Sequence, residues 1–308
     1  MPFEPDLSLA DARAIIDRGL ARARALRLAG AFVILDAGGN VVTVSRIGEA
    51  PPSSVWVSRA KAYVSAVQRA TSARSAANWR ENPAVFSAFQ HLMRDDIFPG
   101  PGAMPIRKGG RIVGAISTGG GLGPTTEIPG IDPSELMADG APANAEDLII
   151  AWALQIPYVN QHPDVVRLVG APVDERVDDL PHCLPVARRY ADLAIAAAKE
   201  KGLRAGIAVV DELGQLMQMD RMDGAPPQTP DLAEAKALTA LNFRSPTSEM
   251  AQRHPPERLA QIQQIIHYHM LAVGGGLPIM QDGVVVGAIG VAGTGPTDEE
   301  VARAAIPS

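Results

Sequence analysis

A few side chains carry most of the chemistry open to this chain. Arg221 and Asp223, followed by Gly224, end an apolar run. A guanidinium there is suited to gripping a carboxylate with two parallel N–H donors, and an Arg–Asp pair that holds a turn is the other reading. Lys236 stands in an alanine-rich stretch of a chain with few lysines. If buried, its ammonium can bind an anion or serve as a base, or it pairs with Asp211 or a nearby carboxylate. Gly274, Gly275 and Gly276 form a run whose backbone N–H groups can converge into an anion-binding concavity. Just before them stand His267, Tyr268 and His269, possible iron ligands or proton carriers. No HExxH and no clear third ligand accompany them, no CxxCH allows covalent haem attachment, and no GxSxG marks an α/β-hydrolase.

The elements that position these residues occur twice. Asp36, Arg46 and Lys61 return as Asp211, Arg221 and Lys236 after a constant shift of 175 residues, and Leu9, Ala12 and Leu20 return as Leu184, Ala187 and Ile195. MPIRKGGRIVGAIS at Met104 returns as LPIMQDGVVVGAIG at Leu277 after a shift of 173. An internal duplication is the simplest cause, and it supplies two versions of one site to compare.

Each copy opens with a helical pattern, Leu9, Ala12, Ile16, Leu20 and Ala23 in the first, with Ser8 as N-cap. Two apolar runs follow, 31–35 and 41–44, then 206–210 and 215–219 in the second copy, each pair predicting a hairpin. A proline pair breaks the chain, a helix carries the lysine, and a second hairpin follows: 104–107 with 111–117, and 277–280 with 284–291. Only the second copy shows a capped closing helix, over 297–306. Hairpin-linked strands and grouped helices predict an α+β fold of two tandem domains, each an antiparallel sheet flanked by helices, packed as a pseudo-dimer. The first domain spans 1–121, a proline-rich ordered connector 122–181, and the second domain 182–308.

The second copy resembles a known family. VVDELGQLMQMDRMDGAP, EAKALTA, SPTSE and GGGLPIMQDGVVVGAIGVAG, in this order, look like the motifs of the GlcG/HbpS-like domain, also found at the C-terminus of PduO-type corrinoid adenosyltransferases. Residues 9–120 resemble the same family with altered motifs: the aspartate after Arg46 is lost, and the glycine run becomes Gly100-Pro101-Gly102. The resemblance implies a small α+β domain, a habit of oligomerising, and haem as a cofactor of some members. It places the site in the second copy: Arg221, Asp223, Lys236, His267 and His269 for catalysis, Thr247, Tyr268 and Gly274–Gly276 for ligand binding. Arg46 and Lys61 are the first copy's contribution.

Composition narrows the partners. The net charge of −6 opposes a nucleic-acid surface, and no apolar run is long enough for a membrane span. With Cys183 the only cysteine, no intrachain disulfide forms. The expectation is a soluble, cytoplasmic homo-oligomer acting on a small molecule. Two functions stand side by side: an enzyme or binding protein for a compact carboxylated ligand, and a haem-binding protein. A non-catalytic regulatory subunit is the third. The scarcity of aromatics and the paired basic residues lean toward the compact anion.

Overall fold

A computed structural model describes residues 6–93, 95–98, 100–120, 137–138, 141–142, 144–158, 180–266 and 268–306. The chain divides into two compact units, one within Asp6–Glu175 and the other within Arg176–Ser308. Most of the proposed connector, and His267, lie outside the described residues.

The first unit runs α1 (Leu9–Ala25), β1 (Ala31–Asp36), β2 (Val41–Arg46), α2 (Ser53–Gln68), α3 (Ser72–Glu81), α4 (Pro83–Leu92), β3 (Ala103–Lys108) and β4 (Arg111–Gly119). A two-residue ribbon, β5 (Met137–Ala138) and β6 (Ala141–Pro142), precedes α5 (Ala145–Leu154). Its main sheet has the order β3-β4-β1-β2, all antiparallel. The second unit repeats the plan: α6 (Leu184–Glu200), β7 (Gly206–Asp211), β8 (Leu216–Arg221), α7 (Thr229–Phe243), α8 (Thr247–Arg253), α9 (Pro256–Gln263), β9 (Gly276–Gln281), β10 (Val284–Ala292) and α10 (Asp298–Ala305). Its order is β8-β7-β10-β9. Among the described residues, no helix is long and apolar enough to cross a membrane.

Local chemistry explains the first hairpin of each copy. Asp36 accepts backbone N–H bonds from Gly38 (2.9 Å) and Asn40 (3.0 Å), and Asp211 does the same for Leu213 (3.0 Å) and Gln215 (2.8 Å). A glycine with positive φ, Gly39 or Gly214, completes each turn. The register slips at Ile34/Leu35 in one copy and at Val209/Val210 in the other, so even the bulge is duplicated. The repeated aspartates are therefore turn formers, not partners of the lysines.

The closing helix is also duplicated, contrary to the sequence pattern. α5 packs on α1, β3 and β4 as α10 packs on α6, β9 and β10. Its N-cap is Asn144, whose side chain accepts from the Asp147 N–H at 3.0 Å. The correspondence is hidden in sequence because 25 residues separate β4 from α5, whereas five separate β10 from α10.

One substitution sets the two copies apart at the helix–sheet layer. At Gly290 in β10, a Cβ would overlap the Ala233 carbonyl oxygen and approach the Ala237 nitrogen to 2.8 Å, so α7 lies directly on the strand. The first copy has Ser117 there, fully buried, its hydroxyl donating to the Gly102 carbonyl at 2.8 Å. Gly290→Ala should lower stability by about 1–3 kcal/mol or more, read from urea unfolding, because the backbone contact leaves no room for a methyl group. An unchanged midpoint would show that α7 does not rest on this glycine.

Candidate functional site

The two lysines organise each unit. Lys61 is 2 % exposed and forms an ion pair with Glu146 of α5 at 2.6 Å. Lys236 pairs with Asp298 of α10, also at 2.6 Å. Both project from a helix to the end of the sheet, since Cα–Cβ bonds tilt toward the helix N-terminus. There Lys61 donates to the Thr118 carbonyl (2.8 Å) and Lys236 to the equivalent Val291 carbonyl (3.0 Å). Each lysine thus ties its own helix to the last long strand and to the closing helix.

The third donor differs. An ammonium has three N–H groups. In the second copy Lys236 spends the last one on the Gly274 carbonyl at 2.8 Å. In the first copy position 274 corresponds to Pro101, and Lys61 makes no third hydrogen bond among the described residues. A second pair shows the same contrast. Thr229 donates its hydroxyl to the Pro226 carbonyl at 2.8 Å. Its counterpart Ser54 is 4 % exposed, and its Oγ has no partner.

Lys61 and Ser54 both line one cavity of about 320 Å³ in the first unit. Ser53, Ser54 and Val57 of the α2 N-terminal turns form one wall, with Lys61 and Glu146 at the base. Phe98, Gly100, Pro101, Gly119 and Gly120 complete it. The first turn of α2 has no side-chain cap and no acidic residue, so its partial positive charge is not offset there by a carboxylate of its own. Asp147, next to Glu146 on α5, accepts the Gly102 N–H at 2.8 Å. Burial pushes the Asp147 carboxyl up to about 6; the Gly102 N–H opposes this, Glu146 adds to it and Lys61 opposes it.

The other residues singled out from sequence fall as follows. Arg46 is 3 % exposed, and its Nη1 donates to the carbonyls of Gly48 (3.1 Å) and Ala50 (2.8 Å), closing the turn after β2. Arg221 ends β8, and Asp223 beyond it is exposed. Arg221 faces Gly206 of β7, which faces Ala292 of β10, so it lies two strand spacings, roughly 10 Å, from the strand that receives Lys236. Lys236, Thr247 and the glycine run do meet, but as a closed framework. Thr247 Oγ1 accepts the Gly276 N–H (2.9 Å) and donates to the Val273 carbonyl (2.8 Å). Ser72 accepts the Ala103 N–H (3.0 Å) at the equivalent place. The glycine run offers a carbonyl to a cation and commits the Gly276 N–H, so it is not the anion nest expected. Gly275 has φ +120°, and a Cβ there would strike the Val291 carbonyl oxygen at 2.5 Å. His269 is exposed and Tyr268 half-buried, with burial raising its phenol above the usual value. Sequence reasoning missed Ser54, Glu146 and Asp147. For Ser54 the signal was its alignment with Thr229.

The Asp147 carboxyl gives a pH test. A carboxyl whose pKa rises on folding contributes stability that is full below the unfolded value of 3.8 and lost as pH rises through about 6. Asp147→Asn removes that component while keeping an acceptor for Gly102. From pH 4 to pH 7 the variant should therefore gain on the parent protein by about 2–3 kcal/mol in urea unfolding. A difference independent of pH would contradict a proton-binding Asp147.

Comparison with known proteins agrees with the duplicated plan. The family model described as haem degrading protein HbpS-like matches twice, over residues 7–127 and 184–307. A 15.0 kDa protein from the dhaT-dhaS intergenic region of Citrobacter freundii is 34 % identical over 111 residues, which is 36 % of this chain and 78 % of that protein. Protein GlcG of Escherichia coli K12 is 32 % identical over 110 residues, 34 % of this chain and 80 % of that protein. The crystal structure of a Streptomyces reticuli HbpS double mutant shares 39 % identity, covers 40 % of this chain and 82 % of that one, and gives a TM-score of 0.37. The chain therefore belongs to the HbpS-like family and carries two copies of its domain.

Proposed function

We propose that the first copy binds a compact carboxylated small molecule and that the second copy is its closed counterpart. The observation that carries this reading is the paired vacancy in donor use. Among the described residues Lys61 keeps one N–H and Ser54 keeps its hydroxyl, where Lys236 and Thr229 are satisfied by the protein. A buried polar group without a partner costs about 1–3 kcal/mol. Ser54 is such a group, and with the Lys61 ammonium also lining the cavity the site is matched by a ligand that supplies acceptors. The α2 N-terminus favours negative charge in that ligand. The site expected in the second copy moves to the first for this reason. Both a binding protein and an enzyme of small-molecule catabolism are consistent with it.

Haem is the second reading, favoured by the family's description. The residues of the cavity do not fit it. Haem iron takes its axial ligand from His, Cys, Met or Tyr, and none of these lines the cavity. Among the described residues no group of three or more His, Cys, Asp or Glu side chains is placed to hold a metal ion.

Ser54→Ala and Thr229→Ala test the reading as a pair. Ser54→Ala should leave stability unchanged or slightly raised, because it deletes an unsatisfied hydroxyl. It should also weaken the binding of small carboxylates about 10- to 100-fold, the loss expected for a hydrogen bond to a charged acceptor. Thr229→Ala should cost about 1 kcal/mol of stability and leave binding unchanged. Thermal melts with and without millimolar carboxylate read both effects. If the two variants behave alike, the copies are equivalent and the proposal fails. In a parallel titration, haemin should give no stoichiometric Soret band; a 1:1 band lost in Tyr268→Phe or His269→Ala would establish the haem reading instead.

A further inference from the structure

The position of Glu146 specifies the ligand more narrowly. Resting on the proposed first-copy site, we infer that the ligand is a small monocarboxylate carrying a hydrogen-bond donor, hydroxyl or ammonium, on the carbon next to its carboxylate. The argument is geometric. Lys61 Nζ lies 2.6 Å from Glu146 Oε2, so both groups face the cavity as one unit. A ligand oxygen on the remaining N–H of that ammonium, at a tetrahedral angle and ordinary hydrogen-bond length, stands about 4–5 Å from Oε2. Two carboxylates at that separation repel, and the single ammonium between them is shared. A donor placed between the two carboxylates removes the conflict, because a carboxylate paired with Lys61 accepts and does not donate. A donor on the carbon beside the ligand carboxylate meets that spacing with the shortest and stiffest connection.

Other walls set the remaining limits. Ser54 lines the cavity, and its unpartnered hydroxyl is the donor for the second carboxylate oxygen; the Ser54 and Val55 N–H groups of the first turn already bond the Pro51 and Pro52 carbonyls. Val57, Phe98 and Pro101 are apolar and accept a short hydrocarbon substituent. Among the cavity's lining residues Lys61 is the only cation and Glu146 the only anion, so a second carboxylate on the ligand finds no counter-charge. A cavity of about 320 Å³ is at the small end of ligand sites.

The test is a titration of the intact protein with five probes: L-lactate, D-lactate, L-alanine, propionate and malonate. Binding is read by calorimetry and by fluorescence of Trp56, which is exposed on α2 beside the lining residues. At least one of the two lactates or alanine should bind tenfold or more tighter than propionate and malonate. Ser54→Ala should weaken that probe tenfold or more. Glu146→Gln should collapse the preference, because the amide no longer repels a bare carboxylate. Should Glu146→Gln fail to fold, the probe series on the unaltered protein decides alone. Propionate or malonate binding as tightly as the best of the other three overturns this inference but leaves the site standing, provided Ser54→Ala still weakens them. If no probe binds, or if Ser54→Ala changes nothing, the site itself is overturned.

Discussion

A buried ammonium must have its hydrogen-bonding capacity met, and that demand shapes both halves of this chain. Burying a lysine costs several kcal/mol unless a carboxylate and further acceptors surround it. The sheet supplies one carbonyl, Thr118 or Val291, and the closing helix supplies the carboxylate, Glu146 or Asp298. Those contacts draw α2 and α5, or α7 and α10, to one end of their sheet. Removing either partner of such a pair leaves an uncompensated buried charge, typically worth 3–5 kcal/mol. This explains why the lysine survives in both copies while much around it has diverged.

The divergence is concentrated where the third N–H points. A glycine run gives the second copy a carbonyl within reach of Lys236; a proline breaks that run in the first. Gly290 lets α7 rest on its strand, whereas Ser117 puts a side chain into the same layer. Thr229 bonds back to Pro226, whereas Ser54 has no partner. These three substitutions share one direction: each closes the second copy or opens the first. Duplication permits this, because one copy keeps the framework satisfied while the other is released from the same constraint.

Much of the frame was legible in the sequence, because its signals are local. The constant 175-residue shift, the Asp-Gly turns, the alternating runs and the alanine-rich helices each rest on a few neighbouring residues. The site was less legible. The lysines stood out, but their partners are remote: Glu146 is 85 residues from Lys61, and the long segment before α5 hid its kinship to α10. The arginine fork looked suited to a carboxylate, yet in Arg46 its donors close the turn four residues away. Glycines suggested N–H groups facing an anion, but a carbonyl faces the ammonium. Whether a serine hydroxyl is satisfied or left over is a matter of packing, and no spacing rule reports it. The copy that kept the full family motif set is the one whose Lys236 and Thr229 are bonded within the protein.

Among the described residues Lys61 holds a donor in reserve while Lys236 does not. A crystal structure grown in L-lactate, at a resolution that shows ordered water, tests it most directly. The account predicts a carboxylate or a water cluster bridging Lys61 Nζ and Ser54 Oγ, with Lys236 enclosed by the Gly274 and Val291 carbonyls and Asp298 alone. A protein carbonyl found on the third N–H of Lys61, with Ser54 Oγ bonded within the protein, would contradict it.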